Sequence, residues 1–532
     1  MSAIRQRDFR LGVQLLGMAM LCLVLRAAEA PVSESDLFAT NALPHLRIQL
    51  DAAAVESLRT EPRDFVAATV SQNGAVYSQV AIHLKGSTGS FRPIDDKPAM
   101  TLDFSRFHDG QKFHGLRRIH LNNSVEDPAY VNEKLGSEFF AAAGLPAPRV
   151  TRALVELNGG RPRLYVLIEG FTEDFLRRHF SAISGDLYEP GTGHDIDAEL
   201  DRNSVAAPHD HGRAALKHLL AATHVADPGQ RWQQLQATLD TRRFLLFMAG
   251  EVILGHRDGY CINRNNYRVY HDLYSGKIVF FPHGMDQLFG SADLPWQPIW
   301  SGLVAQAVMS TTEGQEGYAA TFNLLLTNNY NVVALTNRVD SLVQELLPIL
   351  NHEEFAEIQS AAAVVKERLE KRKASLVAQV RRPPLKLLEF SADGAHPKDW
   401  VIAERPTDGI MDQTAEDGLT ALHIAARAES LASWRTTVLL PPGRYRFEDR
   451  VRVAGVKTLP SGQISGARLR VGGKSGATGA LVGDSGWQKL SADFEISEST
   501  AKIELICELR ARAGEAWFDL AAMRVLRVNE KS

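Results

Sequence analysis

Cysteine is nearly missing from this chain, with three in 532 residues. Cys22 falls in an N-terminal apolar run, which leaves Cys261 and Cys507 far apart. That excludes a disulfide framework and any cysteine-based metal spacing, and two buried thiols are expected. An excess of either charge is missing too. Lys and Arg number 59 against 63 Asp and Glu, a net −4, so no basic surface suited to a nucleic-acid backbone is expected. After residue 25 no apolar run approaches the ~18 residues that would suggest a membrane-spanning helix. What is present is 45% apolar and 23% charged residues, enough chain for two or three hydrophobic cores.

The first thirty residues stand apart. Arg5, Arg7 and Arg10 precede the apolar run from Leu11 to Leu25, and Ala28-Glu29-Ala30 offers a small-residue cleavage site. This reads as a signal peptide over 1–30, hence an exported protein in the periplasm, at the cell surface or secreted.

From about Leu37 to Leu84 the alternation is that of strands, interrupted by a short helical stretch, AAAVESLRT. KGSTGSFRPIDDKP (85–98) is a Gly/Ser-rich loop leading into a strand, AMTLDF. YVNEKLGSEFFAAAG (130–144) has helical spacing, and RALVEL and RLYVLIEG are strands joined by the turn NGG. Helical patterns fill roughly 213–255, NNYRVYHD and GKIVFFPHG form a hairpin, and a long helix covers 353–380. RRPP (381–384) ends it and marks a domain boundary. Beyond, short strands alternate with glycine-rich turns as in a β-sandwich. GLTALHIAARAE (418–429) matches a single ankyrin-type repeat, but one copy cannot stack into an array.

The chemistry concentrates in HRDGYCIN (256–263), where an asparagine follows the aspartate by five positions. In phosphoryl-transfer catalytic loops the aspartate, here Asp258, takes or orients a hydroxyl proton. The asparagine, here Asn263, holds a cation on the nucleotide phosphates. PHGMDQLFG (282–290) follows a strand and offers Asp286 as a second metal carboxylate. Gly86 and Ser87, in a loop reaching to Ser90, suit backbone contacts to phosphate. Lys97 is placed to reach phosphate oxygens, with Glu133 or Glu138 on the following helix as its partner. His194, Asp195, Asp197 and His209-Asp210-His211 read as solvated loops, and Trp296 and Trp300 as packing anchors. Trp400, Trp434, Trp487 and Trp517 read as sandwich core ahead of a sugar platform.

Six ordered stretches then carry a resemblance. They are KGSTGSF before KPAMTLDF, LNNSVEDPAYVNEKLGSEFFAAAGLPAPR, LYVLIEGFTEDFLRRHF, GDLYEP, DGYCINRNNYRVY and PHGMDQLFG. Over roughly residues 40–380 the chain resembles the CotH kinase-like family, atypical secreted kinases. The resemblance implies an α+β, two-lobed, atypical protein-kinase-like domain over 31–383, while the all-β sandwich at 384–532 resembles, on its strand pattern alone, galactose-binding-like, carbohydrate-binding jelly rolls. It implies ATP with Mg²⁺ or Mn²⁺ as cofactors and a protein Ser/Thr hydroxyl as acceptor. Asp258 would be the catalytic base, Asn263 and Asp286 the metal ligands, and Lys97 with Glu133 the phosphate-binding pair. Glu169 would begin the hinge beside the adenine, and Asn266 and Tyr267 would brace the loop. Two departures are visible. The family's W-D-x-D is His283-Gly284-Met285-Asp286 here, and its Arg-Gly-x-Ser-Ser loop is Lys85-Gly86-Ser87-Thr88-Gly89.

Two readings of function follow. The first is an exported ATP-dependent protein kinase with an appended sandwich. The second is a catalytically silent surface or envelope protein that uses the kinase-like scaffold and the sandwich to bind a glycan or cell-surface ligand.

Overall fold

The computed structural model describes residues 37–38, 43–87, 89–203, 211–381, 387–416, 418–459, 464–472, 476–497 and 501–528. The leader expected over 1–30 lies outside them. The chain divides into two compact units, 1–381 and 382–532, a boundary two residues ahead of the one expected.

The first unit opens with a closed barrel whose strand order is β1-β2-β3-β4-β5-β7-β6. Its strands are β1 (His45–Gln49), β2 (Val66–Gln72), β3 (Ala75–Lys85), β4 (Ala99–Asp103), β5 (Arg118–Asn122), β6 (Val150–Leu157) and β7 (Arg163–Glu169). Every neighbouring pair is antiparallel except β1 with β6, which closes the barrel in parallel. Leu46, Ile48, Val80, Ile82, Leu84, Met100, Leu102 and Leu121 fill its interior, as the alternating pattern requires. The helix α1 (Ala52–Thr60) covers one side, its N-terminus capped by Asp51.

A second, separate core belongs to the helical lobe, so the two-lobed form follows from two independent sets of buried side chains. The helix α2 (Asn132–Ala142) leaves the barrel between β5 and β6 and packs its Phe140 on Gly250, where a Cβ would lie 2.4 Å from the ring. Then come α3 (Glu173–His179), α4 (Ala214–Thr223), α5 (Pro228–Thr238), α6 (Thr241–Leu254) and the single turn α7 (Tyr260–Asn263). A four-stranded sheet, order β11-β10-β8-β9, is built from β8 (Leu187–Glu189), β9 (Asp201–Arg202), β10 (Tyr267–Asp272) and β11 (Lys277–Pro282). The helices α8 (Leu303–Met309), α9 (Thr312–Asn328), α10 (Val332–Gln344) and α11 (His352–Arg381) complete the lobe.

The second unit is an antiparallel β-sandwich. One sheet is β12 (Val401–Glu404), β15 (Ser430–Leu440), β19 (Ala501–Ala511) and β17 (Gly466–Val471). The other is β13 (Gly409–Glu416), β14 (Leu419–Ala426), β20 (Ala513–Asp519), β16 (Gly443–Lys457) and β18 (Gly483–Ile496), with β21 (Arg524–Arg527) beside β16. Both inner faces share one core. Trp400, Trp434 and Trp517 are buried. Trp517 lies flat on His423, centroids 4.9 Å apart, with Arg452 5.0 Å over the indole. Trp400 and Trp434 belong to the sandwich core, whereas Trp517 lies outside it and Trp487 is half-buried. The ankyrin-like fragment is β14 and the turn after it. Cys261 and Cys507 are buried free thiols, one in each unit.

Candidate active site

The loop carrying Asp258 is held from beneath. The helix α6 is buried from Phe244 to Leu254 and ends at Gly255, whose φ of +66 is the left-handed cap that glycine adopts freely. Its last carbonyls are claimed by Arg372 of α11, a fully buried guanidinium. Arg372 donates to Val252 (2.6 Å) and Ile253 (3.3 Å), and also to Ala292 (2.8 Å) and Leu294 (2.5 Å). Glu251, also on α6, accepts the backbone N–H groups of Tyr260 and Cys261, both at 2.9 Å, and so caps α7. Burial pushes its carboxyl up to about 7 against those hydrogen bonds. Gly259 has no room for a side chain, because a Cβ would sit 2.5 Å from Glu251 Oε1.

On this base the half-buried Asp258 carboxylate is fixed by three amides. Asn263 Nδ2 donates to Oδ1 (2.6 Å), and Asn265 (2.9 Å) and Asn266 (2.7 Å) both donate to Oδ2. Asn263 thus uses its nitrogen on Asp258, and its amide oxygen is the atom suited to a cation.

The strand β11 then delivers residues 283–286 beside that loop. His283 N donates to Asn266 O (3.0 Å), and Gly284 presses on the Asn266 side chain. Met285 N donates to Glu133 Oε1 of α2 (2.9 Å). Asp286 accepts from Asn122 Nδ2 at its carboxylate (3.1 Å) and from Asn132 Nδ2 at its carbonyl (2.8 Å). One short segment therefore ties Asp258's brace to the helix bearing Glu133. The His256 ring, 3.3 Å from His283 O, is under the electrostatic influence of both Asp258 and Asp286.

The lysine of this cluster is Lys85, the last residue of β3. Burial pushes its ammonium down, while Glu133 and Asp286 draw it up. Glu133 is displaced upward, first by burial and then by Asp286, with Lys85 opposing. Asp127 caps α2 by accepting from Val131 N (2.7 Å), Asn132 N (2.8 Å) and Ala129 N (3.2 Å), and burial raises it to about 7. Lysine, glutamate and aspartate are thereby brought together between barrel and helical lobe, the charge set a phosphoryl-transfer site needs.

Several expected placements are corrected. Lys97 does not meet Glu133. Pro98 delays β4 until Ala99, whose ladder partner is Lys85, so Lys97 lies outside the ladder. Its ammonium donates to the Tyr130 hydroxyl and sits over the rings of Tyr130 (4.7 Å) and Tyr165 (5.2 Å). Burial holds it down at about 8. Glu138, the other glutamate left open, pairs with Arg338 at 2.8 Å, which leaves Glu133 for the cluster. Glu169 ends β7 fully buried between Arg149 (3.0 Å) and Arg178, so its carboxylate is not offered to a ligand. Gly86 has φ +108 and its Cα faces the Phe91 backbone, where a Cβ would come within 3.1 Å. Ser87 N donates inside the turn to Ser90 Oγ (3.1 Å), so it is taken, and Thr88 lies outside the described residues.

Among the lesser candidates, Asp195 accepts from Leu303 N (2.8 Å) and the Tyr260 hydroxyl (3.1 Å), a brace under α7. His209 and Asp210 lie outside the described residues. Trp296 and Trp300 pack on Tyr318.

Among the described residues no three His, Cys, Asp or Glu side chains converge as a ready metal cage. The Asp286 carboxylate and the Asn263 amide oxygen are each, by donor chemistry, of the kind a hard divalent cation takes. Mg²⁺ commonly takes only one or two protein oxygens and completes its shell with water and phosphate.

Sequence reasoning passed over Asn122, Asn132 and Asn265, and noted Lys85 only for its charge. Lys85 ends β3 on the face of Ala81 and His83, opposite the barrel-filling Val80, Ile82 and Leu84, and the asparagines carry no spacing signal.

Comparison with known proteins gives the chain a family. A family model described as CotH kinase protein matches residues 82–375, more than half of the chain. The inner spore coat protein H of Bacillus subtilis is 23% identical over 195 residues, 35% of this chain and 53% of that protein. Invasin CotH2 of Rhizopus delemar is 22% identical over 353 residues, 60% of this chain and 59% of that one. The chain thus spans between half and three fifths of these curated relatives. Among solved structures, the Helicobacter pylori proinflammatory kinase CtkA aligns at 8% identity and TM-score 0.27, covering 56% of this chain and 98% of that one. TmCBM61 in complex with beta-1,4-galactotriose aligns at 12% identity and TM-score 0.19, covering 27% and 100%. With its family motif matched across both lobes of the first unit, this chain belongs to the CotH kinase protein family.

Proposed function

We propose that the protein is an ATP-dependent phosphotransferase acting on Ser or Thr hydroxyls of protein substrates after export. The observation that carries this reading is the segment 283–286. It joins the braced Asp258 to the buried Glu133 and to the half-buried Asp286 and Lys85 that act on it. Asp258, held by three amides, is oriented to accept the proton of an alcohol approaching from solvent. Lys85, drawn toward its charged form by Glu133 and Asp286, neutralises phosphate charge. Mg²⁺ or Mn²⁺, taken by Asp286 and Asn263, would spread the charge developing on the transferred group. The N-terminal charged and apolar run supports export, and the sandwich is proposed to bind a glycan or cell-surface ligand.

The test uses purified mature protein with labelled ATP and Mg²⁺ or Mn²⁺. Label is expected to reach the protein itself or an added acceptor, and to be absent with Asp258→Ala. Gly284 standing where the family often has a second aspartate favours the other reading, a silent scaffold. That reading takes over if wild type transfers no label and nucleotide does not raise its Tm. Glycan-array binding by the full chain checks the sandwich.

A further inference from the structure

Arg268 of β10 is a cation the account above leaves unused. It lies two residues beyond Asn266, and its side chain is only 13% exposed. For so buried a guanidinium it is poorly served. Nη1 donates to the carbonyl of its own neighbour Tyr267 (2.9 Å), and Nε is buried with no acceptor. Glu189 Oε2 approaches Nη2 only to 3.7 Å, beyond hydrogen-bond reach, and the other Glu189 oxygen takes the Asn203 amide at 2.5 Å. A buried donor without an acceptor costs about 1–3 kcal/mol, more for a charged group, so a structure that keeps one normally offers it to something else.

The surroundings say what. Arg268 sits 5.4 Å over the Phe171 ring, and the same ring meets the His283 imidazole at 5.4 Å. His283 in turn faces His120 at 6.4 Å. Burial first, then Lys85 and Arg268, hold both imidazoles well below their ordinary range. Lys85, His120, His283 and Arg268 are all half-buried, so each keeps some contact with solvent. Lys85 comes from the barrel and Arg268 from the second sheet. Their mutual repulsion adds to the burial that pushes Lys85 down.

We propose that Arg268 and Lys85 form a two-sided clamp for a polyphosphate chain, with Arg268 offering guanidinium Nη2, whose nearest carboxylate stands 3.7 Å away, as a charge-assisted donor to phosphate oxygen. This rests on the phosphotransferase reading and names a substrate-contacting residue for it. An arginine suits the task because its planar fork pairs with phosphate oxygens, whereas Lys85 acts as a point charge.

The experiment measures binding of inorganic tripolyphosphate, ATP and adenosine to the full chain by calorimetry, and label transfer separately. Arg268→Gln is expected to weaken tripolyphosphate and ATP at least ten-fold and leave adenosine unchanged. Arg268→Lys recovers part of the loss, and Glu189→Gln tightens tripolyphosphate a few-fold by freeing the guanidinium. Wild-type tripolyphosphate affinity in Arg268→Gln overturns the clamp, as does equal loss of adenosine. Failure of wild type to bind tripolyphosphate overturns it too. Should Arg268→Gln not fold, Glu189→Gln decides, and unchanged tripolyphosphate affinity there overturns the clamp. Protein that grips tripolyphosphate through Arg268 yet moves no label defeats the kinase reading and keeps the clamp. Label transfer at the wild-type KM for ATP in Arg268→Gln does the reverse.

Discussion

Gly284→Ala is a one-methyl perturbation that tests how the site is assembled. Gly284 has φ +57, a left-handed backbone that costs an L side chain roughly 1–2 kcal/mol. The new Cβ would stand 2.5 Å from Asn266 Oδ1 and 2.8 Å from its Cγ. That side-chain end cannot swing aside freely, because its Nδ2 donates to Asp258 at 2.7 Å. Losing a hydrogen bond to a charged group costs roughly 1.5–3 kcal/mol. Together the substitution is expected to destabilise by roughly 2.5–5 kcal/mol and to release Asp258 from one of its three donors. Urea unfolding of the full chain reads the first effect, and labelled-ATP transfer reads the second. In an Asn266→Gly background the clash has no target, so Gly284→Ala should then cost only the backbone part, roughly 1–2 kcal/mol. A loss under about 1 kcal/mol in the wild-type background, or the same loss in both, would refute the reasoning. Restoring the family aspartate with Gly284→Asp meets the same obstacle and should lower activity.

Lys85→Met should abolish label transfer, whereas Lys97→Met, which removes an ammonium from two tyrosine rings, should lower Tm and spare transfer. The reverse outcome would return the phosphate lysine to position 97. Arg372→Met strips four carbonyls of their donor under the catalytic loop. With each buried acceptor left unsatisfied costing roughly 1–3 kcal/mol, it is expected to lower the urea midpoint by the equivalent of at least about 3 kcal/mol. In the sandwich, burial and then Asp519 raise the carboxyl of Asp449 well above its ordinary value, its Oδ2 having no partner. A raised carboxyl favours the folded state fully below the unfolded pKa and loses that contribution as pH climbs toward the folded value. Hydrogen exchange of the β16–β20 amides should therefore speed up from pH 4 upward after correction for intrinsic rates, and Asp449→Asn should flatten that dependence. An unchanged slope would show the group does not titrate there.

Much of this was legible in the sequence because it was written in local periodicity. The hairpin β10–β11, the long α11, the proline stop after it and the alternating strands of the sandwich all declare themselves over a few residues. Asp258, Asn263 and Asp286 were visible because their spacing is fixed by one loop and one hairpin. What stayed hidden depends on closure of the barrel. Lys97 looks eligible as the phosphate lysine until the β3–β4 register sets Lys85 against Ala99 and leaves Lys97 outside. Glu169 resembles a ligand-facing strand end until Arg149 and Arg178, 20 residues before it and nine after, close on it. Arg268 gave no signal because an arginine in a strand is ordinary; only its missing acceptor makes it informative.

Joint action of Asp258, Asp286 and Lys85 on one nucleotide carries the proposed chemistry. Its most direct test is transfer of label from γ-labelled ATP in the presence of Mg²⁺ or Mn²⁺, run in parallel on wild type, Asp258→Asn, Asp286→Asn and Lys85→Met, each checked for folding by Tm. The account predicts transfer in wild type and none in any of the three folded variants. Transfer persisting at the wild-type rate in any one of them would contradict it.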